Sequence, residues 1–174
     1  LEAQAEPGWS LESVRARAGD TWQQGYYLSK GSYEIFMPDE DLEILVEFKR
    51  NGPYTVTPVL DTEGGTVTLS HESAYELEEI TVTAVPDRGY RTSSVVCRFS
   101  AVTQLDENVY TFSMPRLNEE VHASFEPIVY PVCVTTELPM GGTARLDTEG
   151  AVIGQTVTLT CEPEEGYRVA RITG

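Results

Sequence analysis

Apolar and polar residues alternate with a period of two along most of this chain. Tyr54-Thr55-Val56-Thr57, Thr66-Val67-Thr68-Leu69, Ile80-Thr81-Val82-Thr83-Ala84 and Val121-His122-Ala123-Ser124-Phe125 each place apolar side chains on one face and polar ones on the other. That period predicts half-buried strands in antiparallel sheets. The abundance of β-branched Thr and Val favours the same state. No stretch carries a sustained helical period; residues 72–79 come nearest, with room for one turn.

The alternating blocks recur. Tyr33-Glu34-Ile35-Phe36-Met37-Pro38 returns 77 residues later as Tyr110-Thr111-Phe112-Ser113-Met114-Pro115, and a Phe follows at the same distance in both copies (Phe48, Phe125). Gly89-Tyr90-Arg91 returns as Gly166-Tyr167-Arg168, and Gly64-Gly65-Thr66 as Gly141-Gly142-Thr143. Self-similarity at a fixed period decides the architecture. It also argues against a single active site, because like units do not share one unique constellation.

A complete copy holds six predicted strands: A near 54–60, B near 65–71, C near 79–85, D near 90–99, E near 109–114 and F near 120–126. Glu63-Gly64-Gly65 suits a hairpin turn between A and B, and Pro86-Asp87-Arg88-Gly89 a turn between C and D. Proline ends strand E at Met114-Pro115 because it lacks the ladder donor. The expected fold is all-β, with tandem small antiparallel β-sandwich or β-grasp-like modules and no substantial helix. Expected boundaries are 1–50 for a partial copy (C to F), 54–127 for a complete one, and 130–174 for a second partial copy (A to D). Both ends fall inside a copy, so the chain reads as a segment of something larger, with incomplete copies prone to associate end to end or by strand exchange in a dimer. Arg50-Asn51-Gly52-Pro53 and Pro127-Ile128-Val129 are short proline-containing linkers, restricted rather than floppy.

Charge narrows the partners. A formal charge of −16, from 28 acidic and 12 basic residues, opposes nucleic acid and anionic membrane surfaces. No apolar run is long enough for a membrane-spanning helix. Three cysteines do not make a disulfide framework, and Cys97 and Cys161 fit the role of small buried hydrophobes. Asp39-Glu40-Asp41 could offer oxygen ligands to Ca²⁺, but the spaced loop of a calcium site is missing and Arg116-Leu117-Asn118 does not repeat the charge. His71 and His122 lack neighbouring ligands for zinc. No catalytic motif, cofactor motif or metal set emerges. Lys30 and Lys49, in a loop and at a strand end, do not suit a buried isopeptide cross-link.

Two groups of aromatics remain. Trp9, Tyr90 and Tyr167 open strand D in each copy, and recurrence favours rings that cap the core over a glycan platform. Trp22, Tyr26 and Tyr27 fall instead in the D–E loop of the first copy, which is longer than that of the middle copy, and form the candidate binding patch for a host or cell-wall glycan or protein.

The ordered set Tyr54, Val56, Gly64, Gly65, Val82, Thr83, Pro86, Gly89, Tyr90, Tyr110, Phe112, Met114, Pro115 and Phe125 resembles the divergent internalin-B-type B-repeat. The resemblance covers essentially the whole chain; Trp9 stands where the other copies have Tyr, and Ile35-Phe36 shifts the aromatic by one. It implies an extracellular or cell-surface bacterial protein whose units act as spacers or adhesive stalks, with neighbouring repeats as partners and no catalytic residues to carry over.

Overall fold

The computed structural model describes residues 3–24, 26–29, 32–135 and 141–172; the side chains of residues 24 and 26–29 lie outside the described set. Seventeen strands and no helix appear among them. The first copy holds β1 (Trp9–Ala18), β2 (Thr21–Gln24), β3 (Tyr26–Ser29), β4 (Ser32–Glu34) and β5 (Leu42–Arg50). The middle copy holds β6 (Tyr54–Leu60), β7 (Gly65–Leu69), β8 (Ser73–Ala74), β9 (Glu79–Pro86), β10 (Tyr90–Cys97), β11 (Thr103–Asp106), β12 (Val109–Ser113) and β13 (Glu119–Pro127). The third holds β14 (Tyr130–Pro131), β15 (Gly142–Leu146), β16 (Gly150–Ala151) and β17 (Leu159–Pro163).

The middle copy is a two-sheet sandwich. One sheet runs β10-β13-β6-β8, the other β11-β12-β9-β7. Strands A to F correspond to β6, β7, β9, β10, β12 and β13, with β8 and β11 as short additions that the alternation did not announce. Inward-facing residues of the two sheets meet in a core that includes Val56, Ile80, Val82, Phe112, Val121 and Phe125. A fully buried side chain of this size stabilises by about 1.5–3 kcal/mol, so these few positions carry much of the module.

Two expectations change. Strands A and B do not form a hairpin, nor do C and D: each pair lies in opposite sheets, so the Gly64-Gly65 and Pro86–Gly89 turns cross the sandwich. The sheets are also not purely antiparallel, because β6 runs parallel to β13, with Val121 opposite Pro58 and Ala123 opposite Leu60. Alternation fixes which face a side chain occupies but not which strand lies beside it. The single helical turn allowed for residues 72–79 does not form: the segment is a tight turn closed by Glu78 N–H donating to the Tyr75 carbonyl at 3.1 Å, with Leu77 at φ 68°.

The copies share their backbone. In the first, β1 pairs with β5 from Trp9↔Arg50, with a bulge between Leu11 and Ser13. In the middle one, β10 pairs with β13 from Tyr90↔Pro127, with a bulge between Thr92 and Ser94, at the matching positions. The third repeats the β7–β9 ladder (Gly65↔Pro86 to Leu69↔Val82) as β15–β17, from Gly142↔Pro163 to Leu146↔Leu159. Even the turn before strand D recurs three times: Trp9, Tyr90 and Tyr167 each donate to the carbonyl three residues earlier at 2.9–3.0 Å. The glycines that precede them have φ of 81°, 88° and 85°.

Candidate functional site

Two of the recurrent aromatics, Tyr90 and Tyr167, lie on the glycine pair of the A–B turn. A Cβ on Gly64 would sit 2.2 Å from the Tyr90 ring, and one on Gly65 would sit 2.5 Å from Phe125. Gly141 lies under Tyr167 in the same way, at 2.7 Å. Only glycine allows this approach. Tyr90 packs against the core, which agrees with the capping role expected for it.

The linkers are where copies meet, and they are built alike. At the first joint the Asn51 N–H donates to the Gly8 carbonyl at 2.9 Å; at the second, Ile128 N–H donates to the Gly89 carbonyl at 2.7 Å. The loop after strand B of the following copy closes each joint. Asn51 is 6% exposed; its carbonyl accepts from Glu76 N–H at 2.9 Å, and its Nδ2 donates to the Glu76 carboxylate. Arg50 ion-pairs with Glu78 at 2.8 Å and lies 4.3 Å from the Tyr75 ring centroid. The Tyr75 N–H, which donates to Glu78, and then the Arg50 side chain hold the Glu78 carboxyl below its usual range. The loop is anchored to the core by Leu77 N–H to Met114 O (2.9 Å) and Met114 N–H to Glu78 O (2.8 Å).

At the second joint Ile153 covers Gly89, with its Cδ1 2.6 Å from where a Cβ would stand. Gln155 Oε1 accepts from Val152 N–H at 3.1 Å, the counterpart of Glu78 accepting from Tyr75. Val132 N–H to Glu149 O (2.9 Å) likewise repeats Val56 N–H to Glu72 O (2.8 Å).

In the first-copy loop, Trp22 stands on β2 at 45% exposure. The Arg15 and Arg17 guanidiniums lie 5.3 and 5.4 Å from its ring centroid, a distance suited to cation–π attraction. Arg15 also pairs with Glu47 at 2.9 Å, and Arg17 pairs with Glu43. The Ser13 hydroxyl, followed by Arg15, lowers the Glu47 pKa. The backbones of Tyr26 and Tyr27 belong to the separate β3–β4 pair, where they face Glu34 and Tyr33; their side chains, like Lys30, lie outside the described residues. Trp22 is therefore engaged by Arg15 and Arg17 of its own sheet.

Asp39, Glu40 and Asp41 are exposed, and among the described residues no cluster of three or more His, Cys, Asp or Glu is placed to hold a metal. His71 contacts Ser70 at 3.2 Å. His122 Nδ1 lies 3.0 Å from Asp61, a contact that raises its pKa, with Glu120 adding to the effect. Lys49, on β5, lies 3.8 Å from Glu12. Burial, followed by the charge of Glu119, pushes the Cys97 thiol up to about 12. Cys133 is exposed, and all three cysteines are free.

Two residues escaped the sequence reading. Asn51 looked like linker and is instead buried. Glu119 is 1% exposed and accepts from Phe99 N–H (3.0 Å), Ser100 Oγ–H (2.8 Å) and Glu120 N–H (3.1 Å), which pins the chain after β10 to the start of β13. Its signal was present: Glu119 falls in phase with Val121, Ala123 and Phe125 on the apolar face, where an acid must find donors.

Residues 54–129 match the family model of the divergent InlB B-repeat domain. The middle copy belongs to that family. A search of the curated proteins and of the solved structures returned no match. The matched span begins on β6 and ends two residues past β13, so it takes in the whole sandwich, both of its aromatic–glycine contacts and the linker that leads to the second joint. B-repeats occur in bacterial surface proteins and are typically non-enzymatic. No helix among the described residues is long and apolar enough to cross a membrane.

Proposed function

We propose that this chain is a non-enzymatic spacer of an extracellular bacterial protein, with physical units at residues 1–50, 54–127 and 130–174 whose joints are fixed rather than hinged. One observation carries the reading: the same interlock appears twice, Asn51 N–H to Gly8 O and Ile128 N–H to Gly89 O, although the side chains around it differ. A tether between independent units has no reason to repeat such a contact, whereas an array that transmits position does. Membership of the B-repeat family supports the surface assignment. NMR alignment of the intact chain tests the idea. The three copies should share one alignment tensor, and a flexible Gly-Ser insertion after Gly52 should split it. Separate tensors in the unaltered chain would refute a fixed joint.

A second reading is ligand capture at Trp22, with Tyr26 and Tyr27, for a glycan or protein of a host or of the cell wall. It draws support from a half-exposed indole on an edge strand beside two guanidiniums. Binding on a glycan array that disappears when all three aromatics become Ala would establish it, and unchanged binding would remove it.

A further inference from the structure

The first joint imposes both halves of a chemically labile dipeptide. Asn51 serves through its side chain: Nδ2 donates to the Glu76 carboxylate, while its own N–H and carbonyl are tied to Gly8 and Glu76. Gly52 serves through its backbone: φ is 117°, and a Cβ would stand 3.2 Å from both the Tyr54 nitrogen and the Tyr75 Cα. Glycine is the residue that suits such a position. The Gly52 N–H has no hydrogen-bond partner among the described residues. With no side chain to hinder it, that nitrogen can attack Cγ of the preceding Asn. The N–Cγ bond forms, the Cγ–Nδ2 bond breaks, and the amide leaves as ammonia with the Gly52 proton. Water then opens the resulting succinimide at either carbonyl, to aspartate or to isoaspartate.

We propose that Asn51 is a site of spontaneous deamidation that turns the first joint, and not the second, from fixed to free. The inference rests on the fixed-joint reading above. While the joint is closed, the bonds to Gly8 and Glu76 hold Asn51 in place. The reaction therefore draws on the locally opened state, and its rate follows the population of that state. Either product opposes reclosure. Aspartate sets a carboxylate against the Glu76 carboxylate to which the amide had donated, and two such charges in contact repel. Arg50 is already paired with Glu78 at 2.8 Å. Isoaspartate also routes the main chain through the former side-chain carbon, which displaces the carbonyl that accepts from Glu76 N–H. At the second joint the matching residues are Ile128 and Val129, which have no amide to lose. Deamidation thus acts on one joint and in one direction.

Peptide mapping of the intact chain held in mildly alkaline buffer, with aspartyl and isoaspartyl peptides separated, tests the chemistry. Asn51 should convert, whereas Asn108 and Asn118, followed by Val109 and Glu119, should not. Glu76→Ile, which removes the acceptor, should speed conversion at Asn51 by at least about fivefold through the larger open population. Retention of Asn51 in the intact chain, at an age when the urea-unfolded chain has fully converted, overturns the site. An unchanged rate in Glu76→Ile overturns control by the joint. NMR alignment tests the consequence. Asn51→Asp should give residues 1–50 and 54–127 separate tensors, and adding Glu76→Gln should restore a shared one, because amide and carboxylate have then exchanged places. A shared tensor in Asn51→Asp alone, or no rescue in the double variant, overturns the release. Separate tensors in the fresh, unaltered chain refute the fixed joint itself and the release with it, while the mapping still decides whether Asn51 converts.

Discussion

The two joints solve one geometric problem with opposite chemistry. At the first, Arg50 and Asn51 meet Glu76 and Glu78; at the second, the same repeat positions hold Pro127, Ile128, Ile153 and Gln155. The backbone bond is the same in both, and so is the side-chain acceptor over the loop, a carboxylate in one and an amide in the other. Leu77 covers Gly8 at φ 68°, whereas in the second joint Ile153 covers Gly89 and the residue with positive φ is Gly154. The main chain thus sets the joint, and the side chains need only be compatible with each other. The first joint holds a polar pair, Asn51 and Glu76, and the second holds isoleucines at the matching positions, so a mixture is expected to be poorly tolerated.

The largest effect follows from making that mixture. Glu76→Ile strips the buried Asn51 amide of its side-chain acceptor, and the orphaned group should lower stability by about 1–3 kcal/mol. Adding Asn51→Ile should recover most of the loss, since it rebuilds the second joint's chemistry in the first. Urea unfolding of both single variants and the double variant gives the coupling; a double variant no better than the sum of the singles would show that the joints are not interchangeable. A smaller effect separates backbone from packing. A Cβ on Gly154 would meet nothing within 4 Å, yet the residue sits at φ 81°, so Gly154→Ala should cost about 1–2 kcal/mol through the backbone alone. Leu77→Gly relaxes the same conformation but uncovers Gly8, and its thermal midpoint should move less than that of Gly154→Ala.

The flanking copies show what the sequence could and could not specify. Tyr130 to Thr135 carries alternation much like that of Tyr54 to Val59, yet only Tyr130–Pro131 forms strand, against seven residues in β6. Residues 168–172 match the start of β10 and form no strand. In the middle copy β6 and β10 are both laid on strand F, β13, and no such strand lies beside these two segments among the described residues. The B–C ladder, by contrast, needs only its own two strands and survives in the third copy as β15–β17. The period of two was therefore legible, and so were the repeat, the strand positions of the middle copy and the capping role of Tyr90, whereas Trp9 and Tyr167 stand exposed. Whether a segment becomes strand depended on its neighbour, a non-local fact that alternation does not encode. The joints were illegible for a similar reason: Asn51 becomes a buried polar group only when the loop around Glu76 arrives, 25 residues later.

The difference in charge gives the smallest and most selective prediction. Glu78 has its pKa lowered by the Tyr75 N–H and by Arg50, so its contribution is complete above the ordinary value of 4.5 and is lost as pH falls through the lower folded value. Gln155 does not titrate, so the second joint has no such dependence. His122 works in the other direction and elsewhere: its raised pKa makes the Asp61 contact most favourable below 6.5, and that contribution fades as pH rises through the folded value. The two windows do not overlap, which allows the joint to be read alone. Corrected for intrinsic exchange rates, the Tyr75 amide should lose protection below pH 4.5, while the Val152 amide, bonded to Gln155, keeps its own. Glu78→Gln should make the first joint behave like the second over that range. If Tyr75 and Val152 lose protection together in the unaltered chain, the acid response belongs to the whole sandwich and the joints do not differ in this respect.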